Sequence, residues 1–193
     1  MYNPAVIMLA NLRALFGVVV DIVFLRRGPE NIPSSSTLLG VVVTVYVALY
    51  TLAYQAFILS AVPAAPRTWA LQIVLAALIE LLWFWIAFRI ARKPERFVQT
   101  MTAVFATSML FIPALAMVGA LLPYMKEGST AQPPAMLSFL TAFAGIWMVV
   151  ILVRIVRSAF EWNWPRSIGF VLAANFVPVI ILSLIFGDSP KPV

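Results

Sequence analysis

Residues 70–91 read Ala-Leu-Gln-Ile-Val-Leu-Ala-Ala-Leu-Ile-Glu-Leu-Leu-Trp-Phe-Trp-Ile-Ala-Phe-Arg-Ile-Ala and run directly into Arg92-Lys-Pro-Glu-Arg96. The only ionisable residues of the first stretch are Glu80 and Arg89. Its helical length, at 1.5 Å per residue, is about 33 Å, close to the thickness of a bilayer's hydrocarbon core. Backbone in hydrocarbon must satisfy its own amides and carbonyls, so this run reads as a membrane-spanning helix. The proline and the three cations that follow mark where it leaves the apolar layer.

The same test picks out Thr37–Val62, Phe97–Leu122, Ala135–Ala159 and Ser167–Phe186, separated by short connectors rich in proline, glycine and charge. The whole chain of 193 residues is 63% hydrophobic and 10% charged, against roughly 45–50% and about 25% in soluble domains. That composition excludes an ordinary soluble domain. With no Cys and no His, thiolate or imidazole metal sites, His-ligated haem, Cys–His nucleophiles and disulfides are also excluded. The predicted fold is all-α: a polytopic membrane helix bundle of five transmembrane helices in one domain spanning 1–193, preceded by an N-terminal hydrophobic helix.

Lys and Arg fall unequally on the two sides of these spans. One side collects Arg26, Arg27, Arg89, Arg92, Lys93, Arg96, Arg154, Arg157 and Arg166, whereas the other has Arg67, Lys126 and Lys191. The excess predicts that the first side is cytoplasmic, with the C-terminus on the periplasmic side of a bacterial inner membrane. Trp69, Tyr124, Trp162 and Trp164 stand at span ends, where amphipathic rings favour the headgroup layer. The net charge of +6 points to an anionic membrane face rather than to nucleic acid as partner. Arg26, Arg27, Arg92, Lys93, Arg96, Arg154, Arg157 and Arg166 are the candidate contacts for lipid headgroups.

The first hydrophobic segment, Ala5–Leu25, contains Asn11, Arg13 and Asp21. At 100° per residue Asn3, Ala10, Arg13, Ala14, Gly17 and Asp21 share a sector of about 100°, with large apolar residues around the rest. Two readings stay open: a spanning helix packed on its small face, or an interfacial helix. A cleaved signal peptide is not expected, because no basic region precedes the apolar run and Asp21 interrupts it.

Sliding the chain against itself gives a recurring offset of 65. Arg27-Gly-Pro-Glu30 falls on Arg92-Lys-Pro-Glu95, Arg89-Ile-Ala-Arg92 on Arg154-Ile-Val-Arg157, and Pro113 on Pro178. A repeat of three helical hairpins, at about 1–62, 63–127 and 128–193, is one explanation. Basic turns at similar intervals, which any hairpin membrane protein shows, are the other.

Glu80 is the carboxylate nearest the centre of an unambiguous span. A mid-membrane acid is costly and marks either a proton- or ion-coupling site or a structural pair. Arg13 is its expected partner, since the two lie at matching depth if the first segment spans. Tyr46, Tyr50 and Tyr54 repeat every four residues along one helix face, which favours a packed interface whose hydroxyls bond across helices over a polar path. Pro113 and Pro178 kink their helices and free the carbonyls of Met109 and Ala174. No metalloprotease, nucleophile-elbow or phosphate-loop motif appears, so no catalytic residue, cofactor or metal site is assigned.

Leu25-Arg-Arg-Gly-Pro-Glu-Asn-Ile-Pro-Ser-Ser, Arg96-Phe-Val-Gln-Thr-Met-Thr-Ala and Ile151-Leu-Val-Arg-Ile-Val-Arg-Ser-Ala resemble a family of short, mostly uncharacterised bacterial inner-membrane proteins. The plan of an N-terminal helix followed by five spans is similar to that of Yip-domain proteins, whose eukaryotic members are linked to vesicle trafficking and membrane shaping. The resemblance implies an interfacial, cytoplasm-facing first segment and carries no site residue. The leading expectation is a non-enzymatic inner-membrane protein that organises lipids, acts on membrane-protein partners or forms homo-oligomers. The alternative is a small transporter or channel subunit with Glu80 as the coupling residue; an enzyme acting on a lipid or quinone is a third class, with no candidate base beyond Glu80.

Overall fold

The computed structural model describes residues 15–59, 68–125 and 131–187, and the regular elements among them are all helical. A helix, α1, occupies residues 15–23, followed by α2 (Ser36–Ala53), α3 (Trp69–Ile90), α4 (Phe97–Leu110), α5 (Ala114–Leu121), α6 (Ala135–Phe160) and α7 (Trp164–Phe186). Local signals set several of these boundaries. Ser35 is extended, and its hydroxyl oxygen accepts from the Leu38 amide at 3.2 Å, capping α2. Asn163 does the same for α7 through the Arg166 amide, with Pro165 in the first turn where its missing N–H costs nothing.

α3 begins and ends within one residue of the run read from the sequence. α2 continues beyond Ala53 as a π-helical segment, Tyr54–Leu59, and the expected end of that span lies outside the described residues. The expected third span, Phe97–Leu122, is corrected to a broken pair: Pro94–Leu110 and Ala114–Met125 meet at 52°, with Pro113 at the break. α7 instead runs through Pro178 as one helix. Four single helices are long and apolar enough to cross a membrane, five counting the bent pair as one span.

α4 is the inner helix, with Thr100 through Thr107 all buried. It packs against α2, α6 and α3, while α7 joins α3 to α6. Threonines are tolerated here because Thr100 and Thr102 donate their hydroxyl protons to the carbonyls of Arg96 and Val98, each at 2.8 Å. The outer surface is apolar: Leu78 is 54% exposed and Leu82 55%, one turn apart on α3. Helices that are apolar on both the packed and the outward face require an apolar surrounding, which a bilayer supplies.

The helices α1, α3 and α6 end on one face, each followed by a residue in the left-handed region, Leu25, Arg92 and Glu161, with φ of 57–59°. Single-turn 3₁₀ helices at Pro29–Asn31 and Pro94–Arg96 then lead into the next helix. On the opposite side of the bundle α5 lies against the π-helical segment, close enough that a Cβ on Gly119 would meet the Phe57 carbonyl. Gly119→Ala is therefore expected to destabilise the protein by about 1–3 kcal/mol through overpacking. Gly145→Ala, in open space on α6, is expected to stabilise it by about 0.5–1 kcal/mol. Thermal unfolding of the two variants in detergent checks both signs.

Candidate functional site

The last carbonyls of a helix have no amide of their own to accept from. At the end of α6 these acceptors are met by cations from the turn after α3. Lys93 Nζ donates to the Phe160 carbonyl at 3.3 Å, and Arg96 donates to those of Ser158 and Ala159 at 3.4 and 3.2 Å. The left-handed conformation of Glu161 turns its carboxylate back to the same two cations, at 2.6 Å from Lys93 and 2.7 Å from Arg96. Their hydrogen bonds, Lys93 first and Arg96 second, hold the Glu161 carboxyl below the usual carboxylate range.

An aromatic column stands beside this clasp. The Arg166 guanidinium lies 4.1 Å from the Trp162 ring centroid, Trp162 stacks on Phe160 at 4.3 Å, and Phe160 stacks on Phe88 at 4.1 Å. Arg157 and Arg89 similarly cover Trp164 and Trp85. Such pairs leave one side of each guanidinium committed to a ring and its edge available to donate.

The turn after α1 closes over α4 and α6. Gln99 donates to the Ile32 carbonyl at 2.9 Å, and the Ser158 hydroxyl donates to Glu30 at 2.9 Å. Between this turn, the start of α4 and the end of α6 lies a cavity of about 880 Å³. Arg26, Arg27, Arg96, Arg154 and Arg157 line it, against two carboxylates, Glu30 and Glu161. Arg27 is paired with Asp21 at 3.1 Å and Arg96 with Glu161. Arg154 and Arg157, three residues apart on one face of α6, make no ion pair among the described residues, and neither does Arg26. Their donors suit a phosphate or carboxylate, which guanidinium forks bind bidentately.

A second cavity, of about 300 Å³, lies within the bundle between α2, α3 and α7. Tyr46, Tyr50 and Tyr54 form one wall; Trp69, Gln72, Ala76, Ala77 and Glu80 line it from a single face of α3; Ala174, Asn175 and Pro178 close it from α7. Glu80 is the only charged residue in this lining and makes no hydrogen bond or ion pair among the described residues. The tyrosine stripe is both interface and wall: Tyr46 packs on Phe105 at 5.0 Å, and Tyr54 stacks on Trp69 at 5.7 Å.

Five of the eight basic residues expected to meet headgroups thus share one cavity. Lys93 is held in the clasp, Arg166 in the aromatic column, and Arg92 lines neither cavity. Arg13, the expected partner of Glu80, lies outside the described residues. Sequence reading missed the clasp, although Glu161 directly after a long apolar helix was its signal. It also missed Gln72 and Asn175 as lining groups, which no spacing rule marks.

Because the Glu161 carboxyl is lowered on folding, the clasp stabilises the protein above the ordinary carboxylate range and is lost as pH falls through the depressed value. Wild type is expected to melt above Glu161→Gln at neutral pH, with the two curves converging under acid. Melting temperatures of both proteins along a pH series in detergent check this.

The chain matches no protein-family model, no curated protein and no solved structure.

Proposed function

We propose that this is an integral inner-membrane protein without a catalytic site of its own, organising anionic lipid at the cytoplasmic surface through the arginine cavity. The observation that carries the reading is the gathering of Arg26, Arg27, Arg96, Arg154 and Arg157 around one space against two carboxylates. A basic pocket between helices at the cytoplasmic end is suited to a phosphate-bearing headgroup. The bent pair serves as the third of five spans, and the three basic turns face the cytoplasm. The matching 3₁₀ turns at Pro29–Asn31 and Pro94–Arg96, 65 residues apart, support a hairpin repeat. The layout stays Yip-like in plan, and partner membrane proteins or a second copy meet the exposed apolar helices.

A second reading, a small transporter or channel subunit, is favoured by a different observation: Glu80 opens onto a cavity with a largely polar and aromatic lining. An acid placed so is available to exchange a proton or an ion.

Charge-assisted hydrogen bonds contribute about 1.5–3 kcal/mol each, so the double variant Arg154→Gln/Arg157→Gln is expected to lower retention of anionic lipid at least about tenfold. Native mass spectrometry of protein released from nanodiscs containing phosphatidylglycerol and phosphatidylcholine reads the ratio of retained lipids. An unchanged ratio removes the lipid reading.

A further inference from the structure

The cavity between α2, α3 and α7 has features that the lipid reading of the basic face does not use. On α3 its lining residues Trp69, Gln72, Ala76 and Glu80 recur at helical spacing, and the alanines leave the space that larger side chains would fill. Trp69 to Glu80 covers eleven residues, so the lining extends about 16 Å along the helix. Tyr46, Tyr50 and Tyr54 line the cavity from the opposite side, with Tyr54 stacked on Trp69. At the α7 wall Pro178 has no amide proton, which leaves the Ala174 carbonyl without its usual donor. The Asn175 amide nitrogen is turned to the Val171 carbonyl at 2.8 Å, leaving its oxygen as an acceptor.

Among the described residues this lining carries one carboxylate and no cation, with tyrosine, tryptophan and amide side chains set among the aliphatic Ile73, Ala76, Ala77, Ala174, Pro178 and Val179. An apolar occupant such as an acyl chain would leave the carboxylate without a counter-charge or force it to take up a proton. Ca²⁺ asks for six to eight oxygens at about 2.3–2.6 Å and Mg²⁺ for an octahedral set at about 2.0–2.1 Å, and one carboxylate among aromatic and aliphatic side chains does not supply them. A weakly hydrated organic ammonium satisfies both parts at once, with its charge against the carboxylate and its alkyl groups against the rings. The volume of about 300 Å³ is at the lower end for small-molecule sites.

The geometry points to a binding site for a small organic ammonium ion in this cavity, with Glu80 as counter-ion and Tyr46, Tyr50, Tyr54 and Trp69 as its aromatic walls.

The test uses the full chain in nanodiscs of zwitterionic lipid, with benzyltrimethylammonium as probe and calorimetry plus tryptophan fluorescence as readouts. Saturable binding is expected, at least tenfold weaker in Glu80→Gln and several-fold weaker in Tyr50→Leu. Ala76→Leu, which fills the space without touching a charge, is expected to abolish it and decides the matter should Glu80→Gln fail to fold. Neopentylbenzene, the uncharged isostere, should not compete. Equal affinity in a folded Glu80→Gln, undiminished binding in Ala76→Leu or equal competition by the isostere overturns the site. So does a wild type that binds nothing: binding that then appears in Arg13→Gln assigns the carboxylate to the chain's own guanidinium, and none in either leaves the cavity without this ligand.

Discussion

Where α6 stops, its last three helical carbonyls have run out of amides, and the two cations that meet them come from a turn more than sixty residues earlier. Much of the basic face follows from that one arrangement. It fixes the turn after α3 against the end of α6, and Phe88 and Phe160 stack directly beneath it. Glu161 adopts a left-handed conformation uncommon for a non-glycine residue, and in it the carboxylate reaches both cations. The turn after α1 then closes on the same pair of helices through Glu30 and Ile32. An arginine cavity results because the cations not consumed in capping, Arg154 and Arg157 above all, stand one turn below the clasp on α6.

The two cavities divide the chain's charge between them. Cations gather where three helix ends and their turns meet, and a lone carboxylate stands within the span region between α2, α3 and α7. Cations near helix C-termini are favoured by the dipole as well as by the free carbonyls, so α6 collects them at its end. Among the described residues no such compensation reaches Glu80, eleven residues into α3 and far from either terminus. Two of the three buried threonines of α4, Thr100 and Thr102, manage the same problem locally by bonding back one turn, whereas the Thr107 hydroxyl is buried without a partner among the described residues. A carboxylate has no proton to give in that way when ionised.

Several apolar helices were legible because charge and proline bound their runs: α3 differs from the stretch 70–91 by a single residue at each end, whereas the break within 97–122 was not. That basic turns gather on one face was legible too: Arg26, Arg27, Arg96, Arg154 and Arg157 line one cavity. What was not legible is what lies between helices. Lys93 and Glu161 are 68 positions apart, and nothing local shows that a turn lysine will cap a different helix. Glu161 follows α6 where glycine would be the usual left-handed residue, so the tight turn it makes carries no sequence mark. The tyrosine stripe reads as an interface by spacing alone; only Ala76 and Ala77 opposite it turn part of that interface into a cavity.

Pro113 and Pro178, 65 residues apart, show how one residue type yields two outcomes. At Pro113 the chain tightens: Ile112, Ala114 and Leu115 donate to the carbonyls three residues back, Met109, Phe111 and Ile112, at 2.9–3.2 Å. Those bonds satisfy the freed backbone by closing a shorter turn, and the helix bends by 52°. Pro178 is buried in the bundle, where α3 and α6 flank its helix, and a bend of that size would pull packed faces apart. α7 keeps its course instead, and the carbonyl left over at Ala174 lies at the wall of the cavity that holds Glu80. Tertiary packing thus decides whether a membrane proline redirects the chain or exposes an acceptor. In this protein the second outcome puts Ala174 and Pro178 in the lining of the same cavity as Glu80.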